Sequence, residues 1–268
     1  MKKKFQFFTI LIFVFFLSAG ICFADHNDFK ELRSEHFIIK YHSDVDTGYV
    51  NEIKSLSEDL YRKITEEFRL IRDKLWLWEN RARVFIAKDS EDYLNRFSCP
   101  SWSGACVEYD SKIIYTYPHQ NNFKSLFAHE MTHIIFREYV NSGRVPLWLD
   151  EAIASYIEDK YSDGRHKKRI PWLKRVITED RYIIFSDLEV ITGTDLRNVS
   201  SDYVNLFYIQ SFSIINFLVE KYGNDNFSRF LFFLRRDHGV DEALAKGFHH
   251  SFRNRVNFEK QWKEFYTK

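Results

Sequence analysis

Two histidines four residues apart bracket a glutamate in the stretch His129-Glu130-Met131-Thr132-His133. Residues at that interval lie one above the other on a helix, with Cβ atoms about 6 Å apart. Both imidazoles can therefore reach a single Zn²⁺ at ~2.0–2.1 Å each. Glu130 falls about 100° round the helix from His129, beside such an ion without ligating it. From there a carboxylate can take a proton from a water that the ion activates, which is the arrangement of metal-assisted hydrolysis.

A catalytic zinc site needs a third protein ligand and one open position. The stretch Pro146-Leu147-Trp148-Leu149-Asp150-Glu151-Ala152 offers it. A short connection over residues 141–145, with Gly143 in it, lets a second helix fold back antiparallel to the first. Glu151 lies off the apolar stripe Leu149, Ile153 and Ile157, and so can face His129 and His133. Asp150 is the competing ligand; it adjoins the core position Leu149 and has the shorter reach. The expected set is His129, His133 and Glu151 around one zinc ion, with Glu130 as general base.

These residues need elements to hold them. Residues 123–140 read as the helix that carries the histidines, with Phe127, Met131, Ile134 and Ile135 on a buried stripe. Leu126, His129, His133 and Arg137 share the opposite face, which points the imidazoles into a cleft. Upstream, residues 36–42, 83–87 and 113–117 read as strands. Residues 45–70 read as a long helix through Val50, Ile53, Leu56, Leu60, Ile64 and Phe68. Downstream the pattern is helical over 203–222, stopped by Gly223, and over 227–236 and 258–266. Ser186-Asp187-Leu188-Glu189 has the spacing of a capping box before a short helix. A strand-rich first part followed by a helical second part is an α+β arrangement. The parts are residues 25–120 and 121–268, after a leader over 1–24.

That leader has three lysines at Lys2, Lys3 and Lys4, an apolar run over residues 5–17, and small side chains at Cys22 and Ala24. It reads as a secretory signal cleaved after Ala24. The run is short against the ~20 residues of a membrane span, and only an uncleaved chain would be anchored, through residues 5–21. The chain is thus expected outside the cytoplasm, periplasmic or extracellular. Cys22 leaves with the leader. Cys99 and Cys106 then remain as candidates for a disulfide in an oxidising compartment. A formal net charge of +1 argues against a nucleic-acid binder.

The zinc-type pentapeptide followed by Trp148-Leu149-Asp150-Glu151-Ala152 resembles the gluzincin metallopeptidases, and most of all the bacterial peptidase-MA-like proteins. In those a Pro-x-Trp-Leu-x-Glu-Gly segment follows the zinc helix, and a later helix carries a Tyr-x-Gln-Ser stretch. Here Tyr208-Ile209-Gln210-Ser211 matches the latter, and the resemblance covers most of residues 120–268. It implies a zincin-like fold, with an N-terminal mixed sheet and helices, a C-terminal helical lobe, and the zinc cleft between them. It implies peptide or protein substrates, Glu151 as third ligand, and a phenol near the metal that stabilises the oxyanion. Tyr208 is the first candidate for that phenol and Tyr203 the second. It further implies that the strand over 113–117 is a sheet edge that pairs with extended substrate.

Two departures stand out. Ala152 replaces the usual glycine. Ser155 stands where thermolysin-like members carry an aspartate that buttresses a zinc histidine, so support for the rings must come from elsewhere. The basic run over 165–169 and the pair His249-His250 read as solvated. Two other functions share the same residues: an envelope-associated binding module that keeps the zincin fold without turnover, and hydrolysis of a non-peptide amide bond.

Overall fold

The computed structural model describes residues 28–99, 103–118, 123–140, 145–249 and 251–268. The expected leader lies outside these residues. Among them, no helix is long and apolar enough to cross a membrane.

The first half builds a five-stranded mixed sheet from β1 (Phe29–Arg33), β2 (Phe37–His42), β3 (Ala82–Ile86), β4 (Ala105–Glu108) and β5 (Ile113–Thr116). The strand order is β1-β2-β3-β5-β4. β2, β3 and β5 run parallel, and β1 and β4 are antiparallel to their neighbours. Helix α1 (Thr47–Glu67) makes the crossover from β2 to β3. Its start is fixed by Asp46, whose side chain accepts from Tyr49 N at 3.0 Å and satisfies a donor the helix cannot.

Strand side chains alternate between the two faces. Phe37, Ile39, Val84, Ile86 and Ile114 point to the helices and join one large core with Phe127, Met131 and Ile134. Phe85, Ala87 and Ile113 point the other way, where α2 (Ser90–Arg96) and Phe97 cover them with Tyr93. Each such large apolar side chain, fully buried, contributes roughly 1.5–3 kcal/mol. A disulfide joins Cys99 to Cys106 on this second face, with Cα atoms 5.8 Å apart.

The strand over 113–117 is not an edge. It is β5, paired on one side with β3 and on the other with β4. The edge on this side of the sheet is β4, a four-residue strand too short to show an alternating pattern of its own. The expectation that residues 113–117 pair with substrate is corrected accordingly, because both of that strand's backbone edges are already used.

The second half is helical. After α3 (Phe123–Val140) come α4 (Leu147–Tyr161), α5 (Ile170–Thr178), α6 (Phe185–Leu188), α7 (Gly193–Arg197), α8 (Ser201–Tyr222), α9 (Asn224–Arg235), α10 (Val240–Gly247) and α11 (Arg255–Thr267). α3 packs on α4, and α4 on α8. Gly223 ends α8 at φ 83°, a conformation that glycine adopts without strain. The architecture is the expected α+β one, with the sheet on one side of α3 and α4 and the helical lobe on the other.

Ser186 does not cap a helix; it lies inside α6. The backbone donors there are taken over long range, since Ile183 N donates to Gln210 Oε1 at 2.9 Å and Phe185 N to Glu259 Oε2 at 2.9 Å. The capping box forms instead at Thr192 and Asp195, at the start of α7.

Candidate metal centre

Helices α3 and α4 are buried on nearly every side, as helices enclosed by other elements are. The histidines are therefore beneath the surface and do not line an open face, with His129 0 % and His133 1 % exposed. The one-sided stripe read from the sequence underestimates this, because β4 and α8 cover flanks that a lone helix would leave wet.

His129, His133 and Glu151 come together, each offering an atom within 4.8 Å of the others. The two Nε2 atoms face each other at 3.0 Å. Glu151 Oε2 lies 3.6 Å from His129 Nε2 and 3.8 Å from His133 Nε2. Tetrahedral donors at ~2.0–2.1 Å from one ion stand roughly 3.3–3.4 Å apart, so the triangle has the right size.

Each opposite ring nitrogen has a carboxylate beside it, hydrogen-bonded at His129 and in ion-pair range at His133. His129 Nδ1 donates to Glu158 Oε2 at 3.1 Å, and His133 Nδ1 lies 3.0 Å from Asp150 Oδ1. With Nδ1 protonated in each ring, the two Nε2 atoms present lone pairs to each other. Glu151 is 0 % exposed, and neither of its carboxylate oxygens has a hydrogen-bond partner among the described residues. A buried carboxylate without donors is costly unless a cation compensates it. Two facing Nε2 atoms and an orphaned carboxylate fit a metal ion that all three would hold.

The rings are supported from α4 and the segment after it. Glu158 also receives His166 Nε2 at 3.2 Å and Arg165 Nη1 at 3.3 Å. Burial pushes the Glu158 carboxyl up, but the hydrogen bonds and charges of His129 and His166 hold it well below the usual carboxylate range. Burial likewise raises Asp150, while His133 and Arg137 bring it down to about 2. Arg137 grips Asp150 Oδ2 through Nε at 2.9 Å and Nη2 at 2.6 Å. At His129, burial works against the charged ring, yet Glu151 and Glu158 overcome it and raise its pKa. The carboxylates thus favour positive charge at this point.

Asp150, the competing ligand, serves His133 from behind. Ser155 is buried and supports neither ring; the carboxylate beside His129 comes from Glu158. Arg165 and His166, read as part of a solvated run, reach inward to Glu158. His249, by contrast, sits at the surface against Arg229.

Glu130 is 6 % exposed next to the cluster. Burial raises its pKa above the ordinary value; His129 and His133 pull it down, and Glu151 and Glu158 push it up again. Such upward tuning suits a general base. Tyr208, on α8, feels Glu151, Tyr109, Glu130 and Glu158, which together with burial raise its phenol well above the ordinary value. Tyr203 stands instead near Asp187 and Asp195.

One neighbour escaped the sequence reading. Tyr109 follows β4, and its ring meets His133 edge-on at 5.8 Å. The Arg137 guanidinium lies 3.7 Å over its face. Nothing local marks it in a chain with 15 tyrosines.

A family model described as the peptidase MA superfamily matches residues 83–268, well over half of the chain. No curated protein matches it.

Proposed function

We propose that this chain, which belongs to the peptidase MA superfamily, is an exported zinc-dependent peptidase of the gluzincin type. Its ligands are His129, His133 and Glu151, and its general base is Glu130. The observation that carries this reading is the donorless buried carboxylate of Glu151 set against two imidazole Nε2 atoms that face each other at 3.0 Å. Two imidazoles and one carboxylate suit zinc better than the all-oxygen cages that magnesium and calcium take. Bound there, zinc would supply Lewis-acid polarisation of the scissile carbonyl and would acidify the attacking water.

The remaining work falls to the chain. Glu130 accepts the proton of the attacking water and returns it to the leaving amine. Glu158 and Asp150 keep both rings in the tautomer that leaves Nε2 free for the ion. Tyr208 donates to the carbonyl oxygen as negative charge develops on it. The leader and the Cys99–Cys106 disulfide support a site of action outside the cytoplasm.

Elemental analysis of the purified chain, with casein and a quenched peptide library as substrates, tests the proposal. One zinc per chain is expected in the wild type and none in His133→Ala. Glu130→Gln should keep the zinc and the fold and lose activity by about 10²–10⁴-fold. Wild type and Glu130→Gln equally inert, both with metal, would favour a binding module instead.

A further inference from the structure

A hydroxyl that this mechanism does not use stands at the wall of the site. Tyr109 begins the turn from β4 to β5, where Lys112 N donates to its carbonyl at 3.0 Å. Alternation along β4 puts Val107 and Tyr109 on the side of the main core, and both pack against it. Cys106 and Glu108 take the other side.

The ring is fixed from two directions. The His133 ring meets it at 5.8 Å with an interplanar angle of 83°. The Arg137 guanidinium covers its face at 3.7 Å and is itself held by two hydrogen bonds to Asp150. A ring pinned in this way aims its hydroxyl in a set direction. Partly buried tyrosine hydroxyls usually find an acceptor. Tyr115 donates to Glu108 at 3.0 Å, Tyr182 to Glu259 at 2.7 Å, and Tyr266 to Ser213 O at 2.8 Å. The Tyr109 hydroxyl has no such partner among the described residues. The charged groups that act on it are Glu130, Arg137, Asp150 and Glu151, which are the metal cluster and its supports.

We propose that the Tyr109 hydroxyl donates a hydrogen bond to the carbonyl oxygen of the scissile bond from the sheet side of the site, as Tyr208 does from α8. The inference rests on the peptidase reading. Tyr109 keeps its proton throughout, and its hydrogen bond strengthens as the carbon becomes tetrahedral and the oxygen gains charge. The two phenols then belong to different halves of the molecule and converge on one atom.

Tyr109→Phe isolates the hydroxyl, because it keeps the ring between His133 and Arg137. Tyr109→Leu removes the ring as well. Both are compared with wild type and Glu130→Gln on casein and the quenched peptide library, with metal content and melting temperature measured in parallel. Tyr109→Phe should keep its metal and melting temperature and lose roughly 100-fold in kcat, with KM little changed. It should also bind a phosphinic peptide, which is tetrahedral at phosphorus, weaker by a similar factor. Wild-type kcat in Tyr109→Phe, with losses confined to Tyr109→Leu, would leave the residue a packing role and overturn the proposal. A wild type no faster than Glu130→Gln would remove the peptidase reading, and this one with it.

Discussion

Glu158 reaches His129 across 29 positions of sequence, its Oε2 3.1 Å from Nδ1, while Arg165 and His166 close on the same carboxylate from the next turn of chain. It fixes the orientation of the His129 ring. Glu158→Gln keeps the shape and loses the charge, and it should weaken metal binding by about 10–100-fold. Competition with a chromophoric chelator measures this; an unchanged affinity would mean that the ring is held by other contacts.

Asp150 neutralises Arg137 under the Tyr109 ring and also faces His133. Asp150→Ala leaves a largely buried guanidinium without its partner. Breaking such a pair costs about 3 kcal/mol, somewhat less here because Arg137 keeps 17 % of its side chain exposed. Urea denaturation of the metal-free chain reads the loss directly, without the contribution of ligand binding.

Gly247 lets α10 lie on α9, since a Cβ there would stand 2.5 Å from the Cα of Phe230. Backbone cannot rotate out of the way as a side chain can. Gly247→Ala should cost roughly 1–3 kcal/mol, lowering the melting temperature by several degrees. Activity per folded molecule should be unchanged, as neither Gly247 nor Phe230 belongs to the cluster of His129, His133 and Glu151. An unaltered melting curve would show that the two helices slide apart freely.

Stability should carry an acid-sensitive contribution from Glu58. Burial pushes its carboxyl up, but the His36 backbone N–H, the Ser34 hydroxyl and the His36 ring outweigh this and set it below the ordinary 4.5. His36 N donates to Oε1 at 2.9 Å and its ring to Oε2 at 2.6 Å. A depressed folded value means the stabilisation is complete above 4.5 and disappears as the pH falls through the lower folded value. Glu58→Gln should therefore be about 0.5–1 kcal/mol less stable than wild type at neutral pH, a small effect because solvent screens this partly exposed group. The two proteins should converge in acid; a constant gap at every pH would exclude the linkage.

Replacing Cys99 and Cys106 together by serine opens a loop of a few residues. Closure of so short a loop is worth about 2–3 kcal/mol on the chain-entropy scale. The double variant should unfold at lower urea, and reductant should move the wild type to the same midpoint while leaving the variant unmoved.

Much of this was legible in the chain. The helix over 123–140 is found where the spacing of Phe127, Met131 and Ile134 places it, and Glu151 meets the two histidines because the stretch from Pro146 starts a helix that folds back on the first. What was missed lacks local periodicity or depends on distant partners. β4 is four residues long, and its edge position follows from pairing with β5, which no pattern within either strand records. Glu158 could not be assigned because its role needs Arg165 and His166 to turn inward, against the usual behaviour of a basic run. The Ser186 spacing misled because Gln210 and Glu259 supply from afar what a cap would supply nearby.

A single rigid rod, α4, carries Asp150, Glu151 and Glu158, so the third candidate ligand and both ring supports move as one body. Their mutual spacing is set by the helical repeat and is indifferent to loop length. The pieces that would meet substrate, β4 with its turn and the face of α8, hang on separate supports. On the proposed reading, such a layout would let the substrate-facing pieces change without disturbing the spacing along α4.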